Sequence, residues 1–362
     1  MSAMTMRERM RAVIRGDEVD RVPFVKYPGT GVSCEEAWAL VGEEEMGVLH
    51  AFTNLWRLEH PHCSFDAKEF TVDGVRARRT VLTTPAGSLT EEVHYSPALG
   101  SPARAEHYVK SLEDYEILQA YLRDCRVVPH DGAIQRCERE LGERGLSWAG
   151  LQRTPYQQMW IQWACIEDLA LHMADAPDLV DEILRMLGAQ LRETMRITRE
   201  AMDRHDVMVV NFPDNITAPM IGDRLFRKHA LPFYREMADL VEDRGAIVAV
   251  HMDGDLRSLA DAIRDSGVRG LDSFTPPPDC DTSVADAVAL WPGMRLFVNV
   301  PSSVHLGTPE KIRACVTEML EQGAHTNTMW IQISEDVPKF RWRESFPAIV
   351  EAIHAFGVPV GT

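Results

Sequence analysis

From about residue 146 onward, short apolar runs alternate with longer stretches in which apolar positions recur at helical spacing. Short apolar runs are typical of strands buried on both faces, whereas a period of about 3.6 residues is typical of an amphipathic helix. The predicted strands are Leu146–Leu151, Val207–Phe212, Ala246–His251, Gly270–Phe274, Met294–Asn299 and Thr328–Ile333. The predicted helices are Pro177–Arg204, Asp223–Arg244, Leu256–Ser266, Ser283–Leu290, Pro309–Gln322 and Ser345–Phe356. This alternation predicts βα units and a parallel sheet.

The first part of the chain follows a less regular pattern. A short helix is predicted between Thr5, which can cap its start, and Gly16, which can end it. Val22–Tyr27 has the pattern of a buried strand. Between residues 64 and 95 the pattern becomes β-type, with Asp73-Gly74 between two extended runs, which is a strong signal for a β-hairpin.

The strand count favours a closed barrel. At least six strands, Val22–Tyr27 included, fit a single (β/α)8 TIM barrel better than two small domains, and the missing strands are expected between Tyr27 and Leu146. A doubly wound sheet is the competing fold, but no glycine-rich nucleotide motif follows any predicted strand. The sequence therefore predicts one α/β domain over residues 1–362. Residues 1–145 form an N-terminal extension that contains the first strand and the hairpin, and residues 146–362 form regular βα units.

Composition narrows the classes of function. The chain of 362 residues carries 38 Lys and Arg against 55 Asp and Glu, a formal net charge of −17. This acidic balance argues against a protein that binds nucleic acid or an anionic membrane, since either would need a basic face. No apolar run approaches the roughly 20 residues of a membrane span, and the first residues do not have the apolar core of a signal peptide. The seven cysteines form no CxxC pair, so a cytoplasmic protein with reduced thiols is expected.

Polar and acidic residues collect where the predicted strands end. In a barrel the active site lies at these carboxyl ends. His251 and Asp253 are two residues apart at one strand end, so both side chains are expected to point the same way. Glu335, at the end of the last strand, would complete a set of three ligands with one open position, the arrangement of a catalytic zinc site. The alternative is a hydrogen-bonded His–Asp pair without a metal, because a His-x-Asp string is short and common.

Further strand ends supply candidate catalytic and substrate-binding residues. Asp214 is a candidate acid or base, together with His251 and Glu335. Asp214 and Asn215 follow a strand too early to cap the next predicted helix directly, which favours a functional role. For Asn299 ending the strand is an equal alternative, and an aromatic helix residue such as Tyr156 is more often part of the core. The candidates for contact with the substrate are Lys26, Asn211, Asn215, Asn299 and Tyr156.

Several motifs resemble those of the uroporphyrinogen decarboxylase-like superfamily. They keep their order along the chain and read Met6-Arg-Glu-Arg-Met…Asp20-Arg-Val-Pro23, Thr84-Pro-Ala-Gly-Ser-Leu89, His251-Met-Asp-Gly-Asp255, Gly307-Thr-Pro-Glu310 and Ser334-Glu-Asp-Val-Pro338. The resemblance implies a single (β/α)8 barrel, and barrels of this superfamily often form homodimers. It does not imply porphyrinogen decarboxylation, because Lys26-Tyr-Pro-Gly-Thr-Gly31 stands where the decarboxylases carry an arginine-rich segment.

A second branch of the superfamily, the corrinoid-dependent methyltransferases, is more similar. Those enzymes hold zinc with a His-x-Cys pair and a later Cys, and here His251 matches the His while Asp253 and Glu335 stand at the thiolate positions. The resemblance implies a zinc-dependent transfer of a methyl group from a small methylated or methoxylated substrate to a corrinoid (cobalamin). Because the chain has no DxHxxG corrinoid motif, the corrinoid is expected on a partner protein. The alternatives are a decarboxylase or lyase that uses His251 and Asp214 as acid and base, and a barrel that only binds a ligand.

Overall fold

Strands and helices alternate along most of the chain. The computed structural model describes residues 3–97, 101–130 and 132–359. The strands, in chain order, are β1 (Phe24–Lys26), β2 (Met46–Asn54), β3 (Trp56–Glu59), β4 (Ser64–Val72), β5 (Val75–Thr84), β6 (Gly87–Tyr95), β7 (Pro102–Glu106), β8 (Arg126–Pro129), β9 (Gly145–Gly150), β10 (Val209–Phe212), β11 (Ile247–His251), β12 (Gly270–Phe274), β13 (Arg295–Asn299) and β14 (Met329–Ile333).

The helices complete the βα rhythm. In chain order they are α1 (Met6–Arg15), α2 (Cys34–Val41), α3 (Asp114–Asp124), α4 (Gly132–Leu141), α5 (Pro155–Gln158), α6 (Ile166–Asp175), α7 (Pro177–Ala201), α8 (Ala218–His229), α9 (Leu231–Val241), α10 (Ala260–Arg264), α11 (Val284–Leu290), α12 (Pro309–Gly323) and α13 (Trp342–Phe356). A π-helical turn, Met159–Trp163, follows α5. Among the described helices, none combines the length and the apolar composition that crossing a bilayer requires.

Eight parallel strands close a barrel in the order β1-β14-β13-β12-β11-β10-β9-β2. The predicted (β/α)8 fold is therefore confirmed, and each of the barrel strands predicted from the sequence is present. The eighth strand, β2, lies between Tyr27 and Leu146, where the missing strands were expected. It pairs in parallel with β1 on one side and with β9 on the other.

The residue contacts divide the chain into two compact units. The barrel unit consists of Met1–Asn54, Gly132–Gly150 and Arg204–Thr362, and the second unit consists of Leu55–Asp131 and Leu151–Asp203. The predicted organisation as one domain with a boundary at residue 145 stays a prediction.

The core of the barrel unit is closed at the amino ends of the strands by α1. Thr5 caps this helix in a capping box with Glu8, and Gly16 ends it in the left-handed region at φ 82°, as predicted. Met6 and Met10 of α1 pack so closely on Gly47 that a Cβ there would lie 2.5 Å from Met6 Cγ. Above them three aromatic rings, Trp148, Phe297 and Trp330, pack with centroids 4.2–5.6 Å apart. Apolar and aromatic side chains thus fill the barrel interior above α1.

The second unit contains the antiparallel segment. Its strands β4, β5, β6 and β7 form a four-stranded antiparallel sheet, and β3 pairs with β8. The predicted hairpin is confirmed: Asp73 and Gly74 join β4 to β5 with φ of 48° and 79°. Two successive positive φ values are the signature of a type I′ turn, which Asp-Gly favours.

The helical stretch predicted over Asp223–Arg244 is divided in the structure. Helix α8 is interrupted at Gly222, whose φ of 59° and ψ of 164° are not helical, so its second segment begins at Asp223 as predicted. The stretch is broken again at Ala230, between α8 and α9, and ends in a 3-10 turn over Glu242–Arg244. The short segment before Gly222, which carries a proline in its first turn, was not predicted.

Candidate functional site

The candidate site lies at the carboxyl ends of the barrel strands, and its first two residues belong to the neighbouring strands β11 and β12. His251 is the last residue of β11, and its register partner on β12 is Asp272. His251 Nδ1 lies 3.4 Å from Asp272 Oδ2. Between Leu271 and Phe274 the register of β12 against β13 shifts by one residue, and Ser273 adopts a φ of 59°. This bulge follows Asp272 directly, and β-bulges are over-represented next to active sites.

Two carboxylates face the other nitrogen of the same imidazole. His251 Nε2 lies 3.6 Å from Asp253 Oδ2 and 3.9 Å from Glu335 Oε1. The potential ligand atoms of all three residues lie within 4.8 Å of one another, and among the described residues this is the one cluster of His, Cys, Asp or Glu with that property. The structure therefore brings together the three residues that the sequence nominated as metal ligands.

A close contact between loops positions Asp253. The loop after β11 lies so near the loop after β10 that a Cβ on Gly254 would be 2.1 Å from Thr217 Cβ. Thr217 Oγ1 also accepts a hydrogen bond from the Asp255 backbone N–H, and the Ala218 N–H donates to the Asp255 carbonyl. Glycine at 254 is thus required by the close approach, and the approach fixes the chain that follows His251.

Asp272 accepts hydrogen bonds from three further side chains while being fully buried. Tyr27 Oη donates to Oδ2 at 2.5 Å and Asn211 Nδ2 donates to the same oxygen at 2.8 Å. Gln332 Nε2 donates to Oδ1 at 3.2 Å, and its own Oε1 accepts from Trp330 Nε1 at 2.8 Å. Trp330, one of the three packed aromatic residues inside the barrel, therefore orients the Gln332 side chain that donates to Asp272.

The charges of the site shift its pKa values in opposite directions. Burial disfavours the imidazolium of His251, but hydrogen bonds and charge from Asp253 and Asp272 outweigh it and raise the pKa of His251 well above its usual range. Burial would raise the pKa of Asp253 and of Asp272, yet His251 brings both below the ordinary value. Partial burial, with the nearby charges of Asp253 and Asp336, raises the pKa of Glu335 to about 7 even though His251 opposes the shift.

Two of the predicted substrate contacts carry an unpaired polar atom. Asn211 Nδ2 donates to Asp272 and, at 3.4 Å, to the Ala51 carbonyl, which fixes its amide orientation. Asn299 Oδ1 accepts from both the backbone N–H and the Oγ of Ser334 at 3.1 Å, which fixes that amide as well. Within the described part of the chain, Asn211 Oδ1 and Asn299 Nδ2 are buried and have no hydrogen-bond partner. One acceptor and one donor are therefore left for another molecule.

Asp214 and Asn215 follow β10. Asp214 is fully buried and accepts a hydrogen bond of 2.5 Å from Tyr234 Oη of α9, while Asn215 is half-buried. The cap of α8 is Thr217, so Asp214 does not cap this helix. The roles predicted for Asp214 and Asn215 stay predictions.

Lys26 is not part of the group around His251, and the role predicted for Tyr156 stays a prediction. Lys26 is buried, and its Nζ donates to the Tyr27 carbonyl at 2.7 Å. Tyr27 belongs to the interior core of the barrel, so Lys26, one position earlier, faces the outer side of β1. Burial lowers the pKa of Lys26, although the nearby carboxylates of Asp336 and Glu35 oppose this. Tyr156 is a buried residue of α5 in the second unit.

Sequence reasoning did not assign a role to three residues of the group. Tyr27 was predicted only as the last residue of the strand Val22–Tyr27, and Asp272 and Gln332 only as members of the strands Gly270–Phe274 and Thr328–Ile333. The available signal was a buried polar residue inside an apolar strand, Gln332 in Met-Trp-Ile-Gln-Ile and Asp272 in Gly-Leu-Asp-Ser-Phe. A polar group at such a position needs a partner.

Comparison with known families matches the sequence model of uroporphyrinogen decarboxylase (URO-D) to residues 5–356. The chain belongs to this family. The fold thus agrees with the resemblance seen in the sequence motifs.

A solved structure shows the same fold. A methyltransferase from Methanosarcina mazei superposes with a TM-score of 0.59 at 17% identity, covering 98% of this chain and 99% of that chain. A dipeptide epimerase from Methylococcus capsulatus, complexed with a magnesium ion, has a TM-score of 0.27 at 15% identity, over 80% of this chain and 79% of that chain, and is too distant to support any argument. No curated protein matches the chain.

Proposed function

We propose that this protein is a zinc-dependent methyltransferase. It would move a methyl group between a small methylated substrate, with methoxylated compounds as the first candidates, and a corrinoid carried by a partner protein. The observation that carries the proposal is the convergence of His251 Nε2, Asp253 and Glu335 at the carboxyl end of the barrel. The methyltransferase with the same fold from Methanosarcina mazei gives further support.

The donor set fits a zinc ion. Zinc takes imidazole nitrogen and carboxylate oxygen at about 2.0–2.2 Å, so ligand atoms around it are about 3.3–3.5 Å apart in a tetrahedral site. The distances of 3.6 and 3.9 Å from His251 Nε2 to the two carboxylates are close to this spacing. When bound, zinc would supply a Lewis acid that stabilises negative charge developing on the heteroatom that loses its methyl group.

The residues of the chain would bind and orient the substrate. Asn211 Oδ1 can accept a hydrogen bond and Asn299 Nδ2 can donate one, and neither atom has a partner within the described residues. A substrate with both a hydroxyl or amine donor and an oxygen acceptor would satisfy the two atoms. Asp214 and Asn215, after the same strand as Asn211, are the candidates for a further polar contact.

Glu335 must be ionised to hold zinc. Without the metal its pKa is about 7, so at neutral pH zinc binding would displace a proton from part of the Glu335 population. The corrinoid, on its partner, would supply the methyl acceptor. The chain's own contribution is therefore a preformed set of ligands beside a buried polar pair that recognises the substrate.

A demethylation assay tests the proposal. Purified protein is loaded with zinc, mixed with cob(I)alamin and a panel of methoxylated aromatic and aliphatic compounds, and methylcobalamin is followed by its absorption. We expect methyl transfer from at least one compound, lost when zinc is removed by a chelator and restored when it is returned. A protein that turns over a small carboxylate without added metal, and transfers no methyl group, would instead support the decarboxylase or lyase alternative.

A further inference from the structure

The carboxylate of Asp272, at the carboxyl end of β12, is not one of the three candidate ligands, but it is held by several side chains. Four side chains surround it: Tyr27, Asn211, Gln332 and His251, at 2.5, 2.8, 3.2 and 3.4 Å. Each of the first three presents a hydrogen-bond donor. A fully buried carboxylate with so many donors is held in one position and in its ionised form.

The position of Asp272 determines which nitrogen of His251 carries the proton. An ionised carboxylate can only accept, so the neighbouring Nδ1 must be the donor. In the neutral ring Nε2 then keeps its lone pair, and Nε2 is the nitrogen that faces Asp253 and Glu335. A carboxylate that accepts a hydrogen bond from the far nitrogen of a metal-binding histidine also makes that histidine a stronger ligand.

We propose that Asp272 is the positioning residue of the metal centre, and that Tyr27 positions Asp272. This inference rests on the proposed function, because it assigns His251 Nε2 to a zinc ion. Asp272 itself would not hold the ion, because its two oxygens accept hydrogen bonds from Tyr27, Asn211 and Gln332 and face His251. The hydrogen bonds of Asp272 thus hold the imidazole of His251 in one orientation, with Nε2 toward Asp253 and Glu335.

The barrel offers a matched control. Tyr234 donates to the buried Asp214 at 2.5 Å, just as Tyr27 donates to the buried Asp272 at 2.5 Å. Tyr27→Phe and Tyr234→Phe therefore each remove one phenol hydrogen bond to a buried aspartate. Both should lower the unfolding midpoint to a similar extent, whereas only Tyr27→Phe should affect the metal.

The test measures zinc affinity by competition with a chromophoric chelator in wild-type protein, Asp272→Asn, Tyr27→Phe and Tyr234→Phe. We expect Asp272→Asn to weaken zinc binding by about 10- to 100-fold, Tyr27→Phe to weaken it by a smaller factor, and Tyr234→Phe to leave it unchanged. The visible spectrum of bound cobalt(II), which reports the arrangement of the ligands, should change in the first two variants only.

Three outcomes would overturn the inference. If Asp272→Asn and Tyr27→Phe bind zinc as the wild type does, Asp272 does not position His251. If Tyr234→Phe weakens binding as much as Tyr27→Phe, the effect is one of general stability. If the wild type binds no zinc, the proposed function fails and this inference fails with it. In the first two outcomes the wild type still binds zinc, so failure of this inference alone is distinguishable from failure of the proposed function. Should Asp272→Asn not fold, the two tyrosine variants still decide the question.

Discussion

Protons compete with the metal for two of the proposed ligands. His251 has a raised pKa and Glu335 a pKa of about 7, so both hold protons in slightly acidic solution when no ion is bound. Zinc must displace these protons, and its affinity should therefore fall as the pH is lowered from 8 to 6, by about tenfold per unit for each proton displaced. Isothermal titration at several pH values measures this. An affinity that does not change over this range would contradict the assignment of these ligands.

Gly254 tests the importance of the loop contact beside Asp253. In Gly254→Ala the added methyl group would overlap Thr217, so we expect a loss of about 1–3 kcal/mol in the free energy of unfolding, together with weaker zinc binding. Gly29→Ala is the control, because a Cβ at that exposed position meets nothing within 4 Å. Denaturant unfolding of both variants provides the measurement. Equal stability of the two would show that the loop can move apart without cost.

At the scale of single residues, the strand period explains what the sequence could predict. His251 and Asp253 were expected on one side because residues two apart share a face, and the structure brings them together with Glu335. For Lys26 and Tyr27 the same rule allows only one to face inward. The short strand β1 is buried throughout, so its pattern did not reveal which one. The contact of Asp272 with His251 depends on register between strands, which no local pattern encodes.

Helix α1 closes the barrel, and its buried methionines offer a test at the scale of the element. Met10 is fully buried against the barrel core, so Met10→Ala should lower the free energy of unfolding by about 2–5 kcal/mol through the lost burial and the cavity left behind. Arg15→Ala, at an exposed position of the same helix, should change it by less than about 0.5 kcal/mol. Chemical denaturation distinguishes the two. A Met10 variant as stable as the Arg15 variant would mean that α1 contributes little to the closed barrel.

Elements with regular patterns were predictable and irregular ones were not. The strands after residue 146 are short, apolar and separated by helices, which gave their positions nearly to the residue. Strand β2 was missed because the polar residue His50 interrupts its apolar sequence. The pairing of β2 with β9 is irregular as well, with a register shift between His50 and Thr53. The bulge in β12 was invisible for another reason: Ser273 adopts a left-handed φ that its residue type does not announce.

At the scale of the molecule, part of the acidic excess has a place in the fold. The net charge of −17 includes Asp253, Asp272 and Glu335, which lie together around His251 at one end of the barrel. Carboxylates gathered around an imidazole suit a bound cation. The corrinoid partner, the homodimer and the cytoplasmic location stay predictions, and the first of these follows from the proposed reaction.

The zinc content of the purified protein is the decisive measurement for the proposed metal site. Wild-type protein and His251→Ala are dialysed against zinc, freed of loosely bound ions and measured by plasma mass spectrometry. We expect about one zinc ion per chain in the wild type and a small fraction of that in the variant, because the variant keeps only two of the three proposed ligands. A wild-type protein without zinc, or a variant that retains the full amount, would contradict this expectation.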